Sequence, residues 1–139
     1  MNGIQKTLGL PVALAVGLSG PAVAAERIRI ASEWGSVTAT LSDNAAAKAL
    51  AAMLPLTIDM SDHMRQEKTG ALPQPLPEVA RQRDFRPGTL GLWSDGDFVI
   101  YYRSGRVPSP GIVWLGEVTG DVTMFDRPGE VTVRVEKVE

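Results

Sequence analysis

Residues 90–103, LGLWSDGDFVIYYR, constrain the fold of this chain more than any other stretch. Two apolar runs flank the tetrapeptide Ser94-Asp95-Gly96-Asp97. An Asp-Gly pair between β-rich runs signals a hairpin, because glycine adopts a positive φ at no steric cost. The expected turn therefore holds Gly96 in the left-handed region. No other segment is as dense in large apolar and aromatic side chains, which places this hairpin at the centre of a sheet core.

The remaining segments supply partners for it. Residues 26–31, ERIRIA, alternate strictly, with Ile28 and Ile30 on one face and Arg27 and Arg29 on the other. Residues 37–41, VTATL, do the same, and the intervening Glu33-Trp34-Gly35-Ser36 is a turn. This reads as an antiparallel pair. Ser42-Asp43-Asn44 then offers a helix N-cap, and an alanine- and leucine-rich segment runs to Pro55. The expected helix spans about 43–54, with Ala46, Leu50, Met53 and Leu54 on its apolar face. Leu56, Ile58 and Met60 alternate with Thr57 and Asp59 in another strand.

Residues 61–70 are polar and read as a turn or an exposed hairpin arm. Residues 71–87 carry four prolines, Pro73, Pro75, Pro77 and Pro87, and read as a long, stiff loop over the core. After the hairpin, residues 103–111 form a second loop. Residues 112–119, IVWLGEVT, are a strand whose internal Gly116 signals a bulge or tight bend. The segment 122–125 is ambiguous in type. Residues 130–138 alternate cleanly and close the sheet. Seven or eight short strands with Gly/Pro turns and one clear helix argue for a mainly β, closed barrel, since closure removes exposed strand edges.

At 139 residues the chain fits one domain. Its formal charge of −2 is scattered in both signs, which gives no electrostatic argument for a nucleic-acid partner. The absence of cysteine excludes disulfides, thiol catalysis and Cys-ligated zinc. Residues 7–19, TLGLPVALAVGLS, are apolar but short for a bilayer span, follow a segment with one Lys, and precede Ala22-Val23-Ala24. This pattern is that of a signal peptide over residues 1–24, cleaved after Ala24 or Ala25. The alternatives are a membrane anchor or an apolar N-terminal helix. The expected mature domain, 25–139, would be periplasmic or secreted, with no stable membrane insertion after cleavage.

The ordered set of Leu54-Pro55-Leu56, Met60-Ser61-Asp62, Glu67-Lys68, Leu76-Pro77, Gly88, Leu92-Trp93 and Leu115-Gly116 resembles the cyclophilin-like fold, and more narrowly the small bacterial cyclophilin-like domains. The resemblance covers roughly residues 27–136. It implies a closed cyclophilin-like barrel of about eight strands with one helix. Among cyclophilins proper it implies peptidyl-prolyl isomerisation, in which an apolar pocket holds the proline ring and an arginine stabilises the twisted amide. The match to that arginine here is Arg65. The enzymes' Phe-x-x-Gln pattern is missing from residues 61–70, and Ile112 stands where they carry an active-site histidine.

Chemistry-bearing residues are few. Asp59, Asp62, His63 and Glu67 form the single His/carboxylate cluster, with a spacing that matches no metal-ligand pattern, so a solvated polar turn is the expected reading. No Gly-x-Ser-x-Gly elbow accompanies His63, and Gly35, Gly105 and Gly111 lack phosphate-loop spacing. The sequence implies no cofactor and no metal. Aromatic and neighbouring side chains of the hairpin remain as candidate ligand contacts: Met60, Trp93, Phe98, Tyr101, Tyr102 and Arg103. Alternation places Tyr101 and Tyr102 on opposite faces, so at most one belongs to a given wall. The leading expectation is a domain that binds a peptide or small molecule in a groove beside residues 90–103. The alternatives are a weak prolyl isomerase and a metal-assisted or purely structural role.

Overall fold

The alternating segments close on themselves in the computed structural model, which describes residues 25–139; the expected signal peptide, residues 1–24, lies outside the described residues. Eleven strands form: β1 (Arg27–Ser32), β2 (Gly35–Leu41), β3 (Leu56–His63), β4 (Glu67–Ala71), β5 (Arg81–Gln82), β6 (Asp84–Phe85), β7 (Thr89–Trp93), β8 (Asp97–Tyr101), β9 (Gly105–Arg106), β10 (Ile112–Val118) and β11 (Val131–Val138). Eight of them run β2-β1-β11-β3-β4-β8-β7-β10, and β10 pairs back to β2. Each pairing in this ring is antiparallel. The expected closed barrel is thus complete, with the 90–103 hairpin as β7 and β8 in its wall. Outside it, β5 adds to β10 and β6 pairs with β9.

Period-2 alternation decides which side chains fill the cylinder. Ile28, Ile30, Ala39, Ile58, Met60, Leu90, Leu92, Phe98, Ile100, Leu115, Val133 and Val135 belong to one buried cluster. Both ends are plugged. Helix α1 (Ala45–Met53) lies where β2 stops and β3 starts, with Ala46, Ala47, Leu50 and Ala51 buried against that cluster. Asn44 caps it, its Oδ1 accepting from the Ala47 N–H at 2.8 Å while its Nδ2 donates to the Trp114 carbonyl at 2.8 Å. Met53 and Leu54, expected on the apolar face, are only half-buried. At the opposite end a single 3-10 turn, Val122–Phe125, buries Phe125 against the edge of Trp34.

Three local readings change. The turn between β7 and β8 puts Ser94, not Gly96, at positive φ (57°). Its carbonyls are committed to neighbours: Ser94 accepts from Arg81, Asp95 from the Leu76 N–H and Gly96 from the Leu72 N–H. The proline-rich segment thereby shapes the turn. Residues 61–70 are also more than a polar turn, since β3 extends to His63 and β4 buries Glu67 and Lys68. Finally, the 71–87 segment contributes β5 and β6 instead of being wholly irregular. The bulge expected in β10 is present as a register shift between Trp114 and Gly116.

Candidate functional site

The outer face of the β4–β8 pair carries a second, smaller apolar cluster: Phe85, Val99, Tyr101, Val107 and Ile112, with Trp93 packed against it. Alternation in β8 makes this possible, because Phe98, Ile100 and Tyr102 go inward while Val99 and Tyr101 go outward. The segments holding β6 and β9 fold back over this face. Phe85 stacks on Tyr101 with ring centroids 3.9 Å apart and planes 22° apart. Gly105 permits that approach, since a Cβ there would stand 2.5 Å from the Phe85 ring.

The covering is incomplete. It leaves a groove of about 370 Å³, with Trp93, Tyr101, Val107, Pro108 and Met64 as apolar walls and His63, Glu67 and Asp97 as polar lining. Glu67 of β4 lies directly across from Tyr101 of β8, so their side chains emerge side by side on one face. Glu67 is only 6% exposed. One oxygen, Oε1, accepts from Gln66 Nε2 at 2.7 Å, and Oε2 lies 3.5 Å from His63 Nδ1. Burial pushes this carboxyl above the usual carboxylate range, against the hydrogen bonds from Gln66 and His63. The Tyr101 hydroxyl is buried and has no hydrogen-bond partner among the described residues. Burial, with the charge of Glu67, pushes its ionisation well above that of free tyrosine, so it stays an O–H. A buried hydroxyl without a partner costs folding free energy, about 1–3 kcal/mol. An unsatisfied donor on a residue that lines an apolar groove is an arrangement suited to a ligand.

Two larger hollows lack this feature. One, beside β3 and β11, is lined by Glu33, Asp59, Ser61 and Thr132. The other lies between α1 and Trp114. The partnerless buried hydroxyl of the described residues is at the smaller groove.

On the inner side of the same strands a charged cluster ties the barrel end together. Lys68 is 0% exposed; its Nζ donates to Asp62 Oδ1 at 2.8 Å, to the Gly129 carbonyl at 3.1 Å and to the Arg127 carbonyl. The Tyr102 hydroxyl donates to Asp62 at 2.6 Å and accepts from Arg65 at 2.6 Å. Burial pulls Asp62 upward, but the hydrogen bonds and charges of Lys68, Tyr102 and Arg65 outweigh it and hold the carboxyl below its usual range. Burial and the bond to Asp62 raise Tyr102.

The residues expected at a site divide accordingly. Trp93 and Tyr101 line the groove. Met60 and Phe98, 2% and 0% exposed, are barrel core, because their strand positions point inward. Tyr102 also points inward and ends in the Asp62 cluster. Arg103 leaves the groove for an ion pair with Asp126 at 3.2 Å. Arg65 does not line the groove: its guanidinium faces Asp62, the Tyr102 hydroxyl and Asp126. The His/carboxylate cluster is split by alternation. Asp59 accepts from Thr132, Asp62 faces Lys68, and His63 faces Glu67. Among the described residues no group of three or more such side chains is placed to hold a metal ion. Glu67 is the principal lining residue not expected from the sequence. Its signal was the alternation of Glu67 and Thr69 against Lys68 and Gly70, which the high polarity of the segment concealed.

The solution structure of the hypothetical protein AF2241 from Archaeoglobus fulgidus has the same fold, with a TM-score of 0.68 at 14% identity, over 86% of this chain and 99% of that one. No curated protein matches the sequence. The sequence profile of the cyclophilin-like family matches residues 30–136, from within the first barrel strand to within the last, and the chain therefore belongs to the cyclophilin-like family.

Proposed function

We propose that this protein is an exported binding domain that holds a short peptide segment or small molecule in the groove outside β4 and β8. The observation that carries the reading is the buried, partnerless hydroxyl of Tyr101, a residue that lines an apolar hollow. A few placed polar groups on apolar walls are the usual composition of a ligand site. Export is supported by the apolar segment 7–19 and the Ala-x-Ala pattern at 22–24. In the isomerase alternative the matching arginine is Arg65, which two carboxylates hold away from the groove, and the arginine that does line the groove, Arg106, is paired with Asp84. Binding without turnover is the reading that the geometry supports.

The test is a titration with blocked Ala-Ala-Pro-Phe and Ala-Ala-Leu-Phe peptides, followed by protein NMR. Saturable shifts centred on the Trp93 indole and the Tyr101 and Val107 amides are expected, with affinity weakened about fivefold by Tyr101→Phe, as one hydrogen bond is worth about 1 kcal/mol. The variant itself should be as stable as the parent or more so, because it deletes an unsatisfied hydroxyl. The proline peptide's slow cis–trans exchange should be unchanged. Shifts confined to other surfaces, or none at millimolar peptide, would overturn the proposal.

A further inference from the structure

The charges around the groove are unbalanced. Glu67 on β4 and Asp97 on β8 are acidic, and Asp62 adds a third negative charge behind β4. Arg106 on β9 is the permanent cation of the lining, and it is paired with Asp84 of β6 at 2.8 Å. Lys68 follows Glu67 in sequence but faces the other side of the sheet, where Asp62 and two carbonyls hold it. What remains to face Glu67 is the Gln66 amide and the imidazole of His63, which is not a permanent cation. Glu67 is thus a nearly buried carboxylate without a fixed counter-charge, an arrangement that is costly for the folded protein. Tyr101, whose hydroxyl oxygen has no donor, lies across from it on β8, and Trp93 lines the same groove.

Resting on the groove-binding reading, we infer that the groove selects an aliphatic ammonium: an apolar chain along Trp93, Val107 and Pro108 ending in a cationic nitrogen at Glu67 and Tyr101. An ammonium supplies three N–H donors, which match the Tyr101 oxygen and the lone pairs of the Glu67 carboxylate that Gln66 and His63 leave unused. Its charge offsets a carboxylate that no permanent cation faces. A neutral amide or alcohol of the same shape leaves the carboxylate uncompensated. Ligand binding should favour ionised Glu67, against the upward pull of burial on that group in the free protein.

The experiment compares isoamylamine with isoamyl alcohol, its neutral counterpart, by NMR titration of the full chain at pH 7.5 and pH 4. The amine keeps its charge at both. The expected result at pH 7.5 is about tenfold tighter binding of the amine, as charge-assisted hydrogen bonds exceed neutral ones by this order. Glu67→Gln should abolish the difference while retaining the native near-UV circular dichroism. At pH 4 the amine should lose its advantage. If the alcohol binds as well as the amine at pH 7.5, or if Glu67→Gln leaves the preference intact, the ammonium inference falls and the groove reading stands. If neither compound shifts the groove resonances while the blocked peptides do, the inference again falls alone. If peptides, amine and alcohol all fail, both fall.

Discussion

Replacing Lys68 by Met tests whether the buried charge cluster holds the barrel end shut. Methionine has a similar length and no donor, so the packing volume is largely kept while three hydrogen bonds go. The bond to Asp62 is charge-assisted, worth about 1.5–3 kcal/mol, and the carbonyls of Arg127 and Gly129 each lose a donor worth about 1 kcal/mol. Asp62 keeps Tyr102 at 2.6 Å and Arg65 at 3.3 Å, which softens the loss. Removing the desolvation of Lys68 offsets part of it as well. A net destabilisation of about 3 kcal/mol follows, since breaking one side of a buried pair costs about 3–5 kcal/mol when nothing compensates. For a domain of this size, that is roughly a 12 °C fall in Tm. Urea titrations at pH 7 measure it, with an unchanged slope reporting an intact fold. The Asp62→Asn variant and the double variant complete a cycle, and a coupling of about 2 kcal/mol is expected between directly bonded groups. Trp34, 5.4 Å from Lys68 Nζ and 4.5 Å from the Arg127 guanidinium, reports the local change by fluorescence. A loss under about 1 kcal/mol, or additivity within about 0.5 kcal/mol, would refute the idea that Lys68 and Asp62 act as one clasp.

Two further outcomes follow from the geometry. Gly116→Ala should destabilise strongly, by more than about 2 kcal/mol, because its Cβ would stand 2.3 Å from the Thr40 carbonyl oxygen and 2.9 Å from the Leu41 Cα, both backbone atoms at the β10–β2 seam; a native-like urea midpoint would refute the argument. The pH dependence should carry two opposed contributions. Asp62, held below its ordinary 3.8, adds stability that is present above that value and lost as pH falls through the lowered one. Glu67, raised above 4.5, adds stability that is present below that value and lost as pH rises through the raised one. Glu67→Gln should therefore gain on the parent between pH 4 and pH 7.5 in urea midpoint, and a constant difference across that range would contradict the assigned direction.

The legibility of the barrel and the obscurity of its groove have one cause. Strands such as 26–31 and 130–138 bury one face and wet the other, so their alternation is visible residue by residue. The β4 segment is different. Glu67 and Lys68 are both buried, on opposite faces, and a sequence reading takes adjacent charges as solvent-exposed. Nothing local announces that Lys68 finds carbonyls more than fifty positions away, at Arg127 and Gly129. Trp93 and Tyr101 were identifiable because their aromatic bulk suggests a surface of contact. Met60, Phe98 and Tyr102 share that apolar character, and only the inward or outward sense of each strand separates the two groups. The turn at residues 94–96 makes the same point: glycine permits a positive φ, but the hydrogen bonds from Arg81, Leu72 and Leu76 accompany a turn in which Ser94 adopts it.

By itself, then, the sequence determined a mainly β domain with one capped helix, a central hairpin and a bulged strand, and its ordered motifs pointed to the cyclophilin-like family. Those properties depend on short-range patterning, which each segment carries alone. Tertiary structure decided that β10 meets β2, that Glu67 faces outward beside Tyr101, and that Arg65 and Arg103 turn to Asp126 instead of the groove. These depend on which distant strands become neighbours. Charge pairing and hydroxyl satisfaction are settled only when closure of the barrel brings those neighbours within bonding distance.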